Sequence, residues 1–253
     1  GFFRPPEKGR RTVFALKGLN ERSPYLNKTY ESLKATDEAA YNRLNDSVLR
    51  AFVVKQLDPA DHTSIYHVLE RLNTGGTQLV SQEIRNCIYH GPFNDMLGEL
   101  NQDDNWRAIY GKKQEDKRQR DIELILRFLA LLFDSKKYKK PLKDFLSDFM
   151  AARRNLSGRA LAKFRKAFVE TCAAVHDNLG PKPFHIRAGL NAAVFDSVFV
   201  AFGGRLDKIP RDIDGRYKRL IKSEAFLSVV STSTTDEEVV ERRLKLARED
   251  LFG

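Results

Sequence analysis

The sequence has little cysteine and no recognisable metal-ligand pattern. Its two cysteines, Cys87 and Cys172, lie far apart, and each occupies an apolar helical pattern. Isolated cysteines of this kind are typical of small core side chains in a reducing compartment, which argues against a disulfide or a zinc site. The five histidines have no ligand spacing with acidic residues or cysteines, so no metal site is predicted.

Long apolar runs are also missing. No stretch approaches the roughly 18 apolar residues that a membrane-spanning helix needs. A signal peptide, a Walker A loop and an HNH nuclease pattern are absent as well. These absences predict a cytoplasmic protein with no membrane partner.

Basic residues, in contrast, are in excess. The chain has 44 lysines and arginines against 34 acidic residues, a net charge of +10. This surplus favours an anionic partner, of which nucleic acid is the commonest, although many basic soluble proteins bind no DNA.

The most one-signed stretch of the chain runs from residue 151 to 167, with six basic residues and no acid. A long helix is predicted from Ser157 to about Asn178, and it places Arg159, Lys163 and Lys166 on one side. These three residues are the candidate DNA contacts, and an ordinary solvated face is the alternative. A second basic segment, residues 136–140, surrounds Tyr138 with four lysines, which suits either a stacked base or a solvated loop.

The apolar periodicity predicts a mostly α fold with a small β portion near the N-terminal side. The β portion consists of Thr12–Leu16 and Leu49–Leu57. Residues 121–133 are apolar nearly all round, which predicts a central helix. Arg127 within it is expected to pair with Glu123 or Asp121. A capping box is predicted to start the last helix, with Thr235 as the cap and Glu238 three residues later.

The most distinctive segment runs from Arg71 to Asn86. It is predicted to form the end of one helix, a Gly75-Gly76 turn, and a second helix capped by Ser81. A polar turn beside a helix start can hold a phosphate, but such corners are also common as purely structural features.

The same segment carries a family resemblance. Residues 69–79 and 82–86 are similar to the FERLNTGGTxLxxQEIRN segment of GmrSD-type restriction proteins, which have a ParB/sulfiredoxin-like core. Further similar stretches occur in the family's order: residues 120–130, Tyr138, 145–150, 191–198, 231–235, Val240 and Arg242-Arg243. The DGQQR motif and an upstream IPxFQRxYxW-like segment of that family are absent. The chain is therefore expected to be the C-terminal part of a longer parent protein. Residues 1–110 would complete the ParB-like core, and 111–253 would form a helical domain.

The resemblance implies a phage-defence or DNA-restriction protein that binds and hydrolyses nucleoside triphosphates, with Mg²⁺, and acts on DNA. The implied phosphate-binding residues are Arg71, Asn73, Thr74, Gly75 and Gly76, with Gln82, Glu83, Arg85 and Asn86 behind them. No catalytic residue is assigned, because none resembles a self-sufficient nucleophile or base. The expected partners are DNA, a nucleotide, a separate nuclease or methyltransferase subunit, and a second copy of the chain. The alternative is a DNA-sensing or assembly module without chemistry of its own.

Overall fold

The computed structural model describes residues 13–48, 68, 78–186 and 189–253. These residues contain twelve α-helices and no β-strand, which confirms the mostly α prediction. The chain divides into two compact units, Gly1–Lys55 and Gln56–Gly253.

The first unit contains two short helices, α1 (Tyr30–Thr36) and α2 (Glu38–Asn45). Thr29 and Ser32 form a capping box at the start of α1. Asp37 ends α1 and caps α2, since its carboxylate accepts the Ala40 N–H at 2.9 Å. Buried Leu33 and Ala40 form a small core with tyrosines and leucines around them.

The predicted β portion is not seen among the described residues. Val13 to Leu16 form no strand, and Leu49–Leu57 lies outside the described residues. Leu16 exchanges one pair of backbone hydrogen bonds with Asn27 and Lys28, at 2.7 and 3.0 Å. Asn27 has a left-handed φ of 57°, so the pairing stops there and does not become a ladder.

The second unit is a single helical assembly. The helices in its described part are α3 (Ser81–Ile88), α4 (Pro92–Leu100), α5 (Asp104–Tyr110), α6 (Arg120–Asp134), α7 (Leu142–Ala151), α8 (Gly158–Leu179), α9 (Ala192–Gly203), α10 (Ile213–Leu220), α11 (Glu224–Ser231) and α12 (Glu237–Phe252). One continuous core joins α3–α5, which the sequence groups with residues 1–110, to the helices after residue 111.

Helix α6 occupies the centre of this unit, as its apolar pattern predicts. It packs against α3, α4, α7, α8 and α9. Around it lies an aromatic cluster that includes Trp106, Phe128, Phe168 and Phe199. A Cβ on Gly203 would come within 2.9 Å of the Phe128 ring, so glycine there allows α9 to approach α6 closely.

Two local predictions are wrong. Cys172 is buried as predicted, but Cys87 is exposed. Helix α12 begins at Glu237 after Asp236, with no side-chain cap hydrogen bond. The reason is that the Tyr138 hydroxyl donates to the Thr235 carbonyl at 2.6 Å, a tertiary contact that holds residue 235 outside the helix.

Candidate functional site

The structure describes only the second half of the predicted phosphate-binding segment. Arg71, Asn73, Thr74, Gly75 and Gly76 lie outside the described residues. The other four predicted residues, Gln82, Glu83, Arg85 and Asn86, lie on α3, which begins four residues after Thr77. Their contacts show how α3 is held against the rest of the second unit.

Arg85 is completely buried, with 0% of its surface exposed. Its Nε donates to Gln82 Oε1 at 2.9 Å, and its Nη2 donates to Glu123 Oε2 on α6 at 2.6 Å. Its Nη1 lies 3.4 Å from the carbonyl of Lys143. All three nitrogens thus have protein partners, and the guanidinium joins α3 to α6 and to the start of α7.

The two amides of the segment extend this network. Gln82 is also fully buried, and its Nε2 donates to Asn86 Oδ1 at 2.8 Å. Asn86 in turn donates to the Gln119 side chain, immediately before α6. We call Gln82, Arg85, Asn86 and Glu123 the Arg85 cluster. Because its buried polar groups are paired with one another, the cluster fixes how α3 sits on α6.

Glu83 serves the start of α3. The residue before the helix is Val80, not Ser81, and its N–H donates to Glu83 Oε2 at 2.7 Å. The same oxygen lies 3.8 Å from Arg118 Nη1. A carboxylate in the first turn is favourable because it faces the positive end of the helix dipole.

Arg118 is a neighbour of the site that the sequence does not single out. Its Nη2 donates to the carbonyl of Gln78, directly after the predicted turn. Its side chain is 37% exposed, so it can also meet an anion beside that turn. In the sequence, Arg118 is one of five basic residues within the polar segment 111–120, a predicted exposed loop and a secondary candidate for DNA contact.

The candidate DNA contacts lie on α8, and all three are exposed. Lys166 Nζ lies 3.7 Å from Glu170. Lys163 Nζ lies 5.0 Å from the centre of the Phe133 ring. Among the residues that the structure describes, neither Arg159 nor Lys163 has a carboxylate within 4.0 Å. These two therefore remain the most available cations of the predicted set.

The basic residues of the 151–167 stretch are partly paired with groups from other parts of the fold. Arg153 pairs with Asp134 at 2.8 Å, and Arg165 pairs with Glu99. Arg154 donates to the His90 carbonyl at 2.8 Å. Acids from other helices thus reduce a surplus that looks larger in the sequence.

A second buried ion cluster involves Arg127, whose predicted local partners are wrong. Arg127 pairs instead with Asp196 on α9, with Nε at 3.1 Å and Nη2 at 2.5 Å from the carboxylate oxygens. Arg243 on α12 donates to the same carboxylate at 2.9 Å. Burial alone would lower the pKa of Arg127, but Asp196 outweighs it and raises that pKa, so the guanidinium stays charged. This cluster joins α6, α9 and α12 as a structural core.

Comparisons with family models, curated proteins and solved structures gave no match to this chain. The GmrSD-like resemblance therefore stays a prediction. Within the described residues, no helix is long and apolar enough to cross a membrane. No group of three or more metal-ligating side chains occurs within that same part of the chain.

Proposed function

We propose that this chain is part of a GmrSD-like defence protein that binds and hydrolyses nucleoside triphosphates and acts on DNA. The observation that supports this most is the Arg85 cluster, which anchors α3. This helix follows the predicted turn of residues 71–77 in the chain. A phosphate-binding turn needs such support, because ligand contacts are effective only when rigid elements hold them in place.

The contacts suggest that some residues of the segment position α3 and that others contact the phosphate. Arg85 and Gln82 are buried and paired, so they position α3 and do not themselves meet the phosphate. Direct contact would belong to Arg71, Asn73, Thr74, Gly75 and Gly76, with Arg118 beside them. An arginine suits this task because its planar fork donates to two phosphate oxygens at once.

The described carboxylates of this site do not fit Mg²⁺. Glu83 accepts the Val80 N–H and faces Arg118, and Glu123 pairs with buried Arg85. Magnesium needs open oxygen ligands in octahedral geometry, which these engaged groups do not supply. The role proposed for this part of the chain is therefore to hold the phosphates of the nucleotide.

The direct test is nucleoside-triphosphate hydrolysis by the full product of the gene, with and without DNA. Arg71→Ala should lower kcat/KM by about 10- to 100-fold, the effect of losing a charged hydrogen bond to phosphate. Its melting temperature should stay unchanged. Arg211→Ala is the matched control, since Arg211 is an exposed arginine in the same unit. Full turnover by the Arg71→Ala protein would reject the phosphate assignment.

A second candidate function is a DNA-sensing or assembly module without chemistry. The exposed Arg159 and Lys163 on α8 and the net charge of +10 favour it. The same assay separates the two functions. DNA binding without turnover under any condition would support the sensing module, whereas turnover that depends on Arg71 would support the hydrolase.

A further inference from the structure

We propose that the cleft between α6, α7 and α8 binds one unpaired base of single-stranded DNA. In this arrangement the base stacks on Phe133, and the flanking phosphates contact Lys137, Lys163 and Arg159. This inference deepens the DNA-binding part of the proposed function and names the form of DNA. It does not depend on nucleotide hydrolysis.

The cleft is large enough for this ligand. Its volume is about 710 Å³, which falls within the roughly 300–1,000 Å³ of typical small-ligand sites. Four phenylalanines from the three helices line it: Phe133, Phe145, Phe149 and Phe164. An aromatic wall beside lysines is the combination that single-stranded nucleic acid requires, because bases stack while cations follow the backbone.

Phe133 is the ring that a base can reach. Phe145, Phe149 and Phe164 are buried, whereas Phe133 is partly exposed. The Phe164 ring packs against it at a centroid distance of 4.6 Å and fixes its position. The Lys163 ammonium lies over the ring at 5.0 Å. An exposed cation–π contact contributes only about 0.5–1 kcal/mol, so Lys163 can leave the ring for a phosphate when a base arrives.

Of the two acids that line the cleft, Asp134 is paired with cations. Asp134 accepts hydrogen bonds from Arg153 at 2.8 Å and from exposed Lys137 at 3.4 Å. Arg153 is held flat on Phe149, with its guanidinium carbon 3.7 Å from the ring centre. Partial burial, together with Asp144, raises the pKa of the remaining acid of the cleft, Asp148. Lys163 supplies positive charge at the cleft, and exposed Arg159 lies one helical turn before it on α8.

Fluorescence anisotropy on the 253-residue chain tests the proposal. The probes are a fluorescein-labelled oligo(dT) of about 12 nucleotides and an abasic oligonucleotide with the same number of phosphates. At about 50 mM salt, oligo(dT) should bind at least about 5-fold more tightly, since one stacked base contributes about 1–3 kcal/mol. Equal affinity for the two probes would overturn the proposal.

Two variants separate stacking from charge. Phe133→Leu keeps an apolar side chain but loses the aromatic face, so it should abolish the preference for oligo(dT). Lys163→Ala should weaken the binding of both probes and reduce the dependence of that binding on salt concentration. Lys218→Ala is the control, because Lys218 is an exposed lysine on α10 that pairs with Asp214 at 2.6 Å. Circular dichroism and melting temperature verify that each variant is folded.

The remaining outcomes are also decisive. A preference for oligo(dT) that persists in a folded Phe133→Leu protein would mean that the base binds elsewhere. That result would overturn the proposal that the cleft binds it. Duplex DNA that binds as tightly as oligo(dT) through Lys163 would mean that α8 contacts only the backbone, which also overturns it. Loss of Arg71-dependent turnover would leave these binding results unaffected, so the two proposals fail separately.

Discussion

At the scale of single residues, Asp196 is unusual because its one buried carboxylate pairs with two guanidinium groups, those of buried Arg243 and of largely buried Arg127. Asp196 is 0% exposed, and Arg243 is 1% exposed. Arg243 also donates to the Ala193 carbonyl at 2.7 Å, while its buried Nε has no partner among the residues that the structure describes. Within the part of the chain that the structure describes, the two guanidinium groups share Asp196 as their one ion-pair partner.

We expect Asp196→Asn to be much more destabilising than Arg243→Met. The first change leaves buried Arg243 and largely buried Arg127 without the carboxylate that they share, and it should lower the free energy of unfolding by about 3–5 kcal/mol. The second change leaves the Arg127–Asp196 pair intact and removes the buried unpaired Nε, so its cost should be smaller. Urea denaturation of both variants measures this order, and a larger loss for Arg243→Met would contradict it.

At the scale of elements, the loop of residues 138–140 connects α6 and α7 to the start of α12. Tyr138 is 7% exposed and donates to Thr235, so it is not a platform for a base. Glu237 accepts from the Lys140 N–H at 3.2 Å and from Lys139 Nζ at 3.4 Å. Two of the four lysines around Tyr138, Lys139 and Lys140, therefore bind the first residue of α12.

This docking should depend on pH. The Lys140 N–H, with Lys139, lowers the pKa of Glu237. Its stabilising contribution is therefore complete above the ordinary glutamate pKa of about 4.3 and disappears as the pH falls through the lowered value. We expect Glu237→Gln to reduce the melting temperature at pH 7 and to have a progressively smaller effect as the pH falls below about 4.3. Glu241→Gln, an exposed change on the same helix, is the control, and a difference that is constant with pH would contradict the assignment.

The elements show what a sequence can predict and what it cannot. The apolar period locates α6 and α8 almost to the residue, because it depends only on neighbours along the helix. The partners of Arg127 and Thr235 are not predictable in this way, since Asp196 lies 69 residues from Arg127 and Tyr138 lies 97 residues from Thr235. In both places a distant group displaces the local partner that the sequence suggests.

At the scale of the whole molecule, contacts between residues far apart in the sequence decide both the charge of the surface and the role of the site residues. The sequence groups Gln82, Glu83, Arg85 and Asn86 correctly on one helix. It does not show that Arg85 is buried against Glu123, 38 residues away, or that acids on other helices neutralise part of the 151–167 stretch. The contact residues of the proposed site are therefore expected at 71–77, and α3 begins shortly after them in the chain.

The most direct measurement is the melting temperature of the full gene product with and without nucleoside triphosphate, compared between Arg71→Ala and Arg85→Ala. Without nucleotide, Arg71→Ala should melt like the wild type. Arg85→Ala should melt about 3–12 °C lower, because it loses a charged hydrogen bond to Glu123 worth roughly 1.5–3 kcal/mol, and each kcal/mol shifts the melting temperature by about 2–4 °C in a chain of this size. Nucleotide should raise the melting temperature of the wild type but not that of Arg71→Ala. A nucleotide-induced increase that persists in Arg71→Ala, or an unchanged melting temperature in Arg85→Ala, would contradict this division between contact and support.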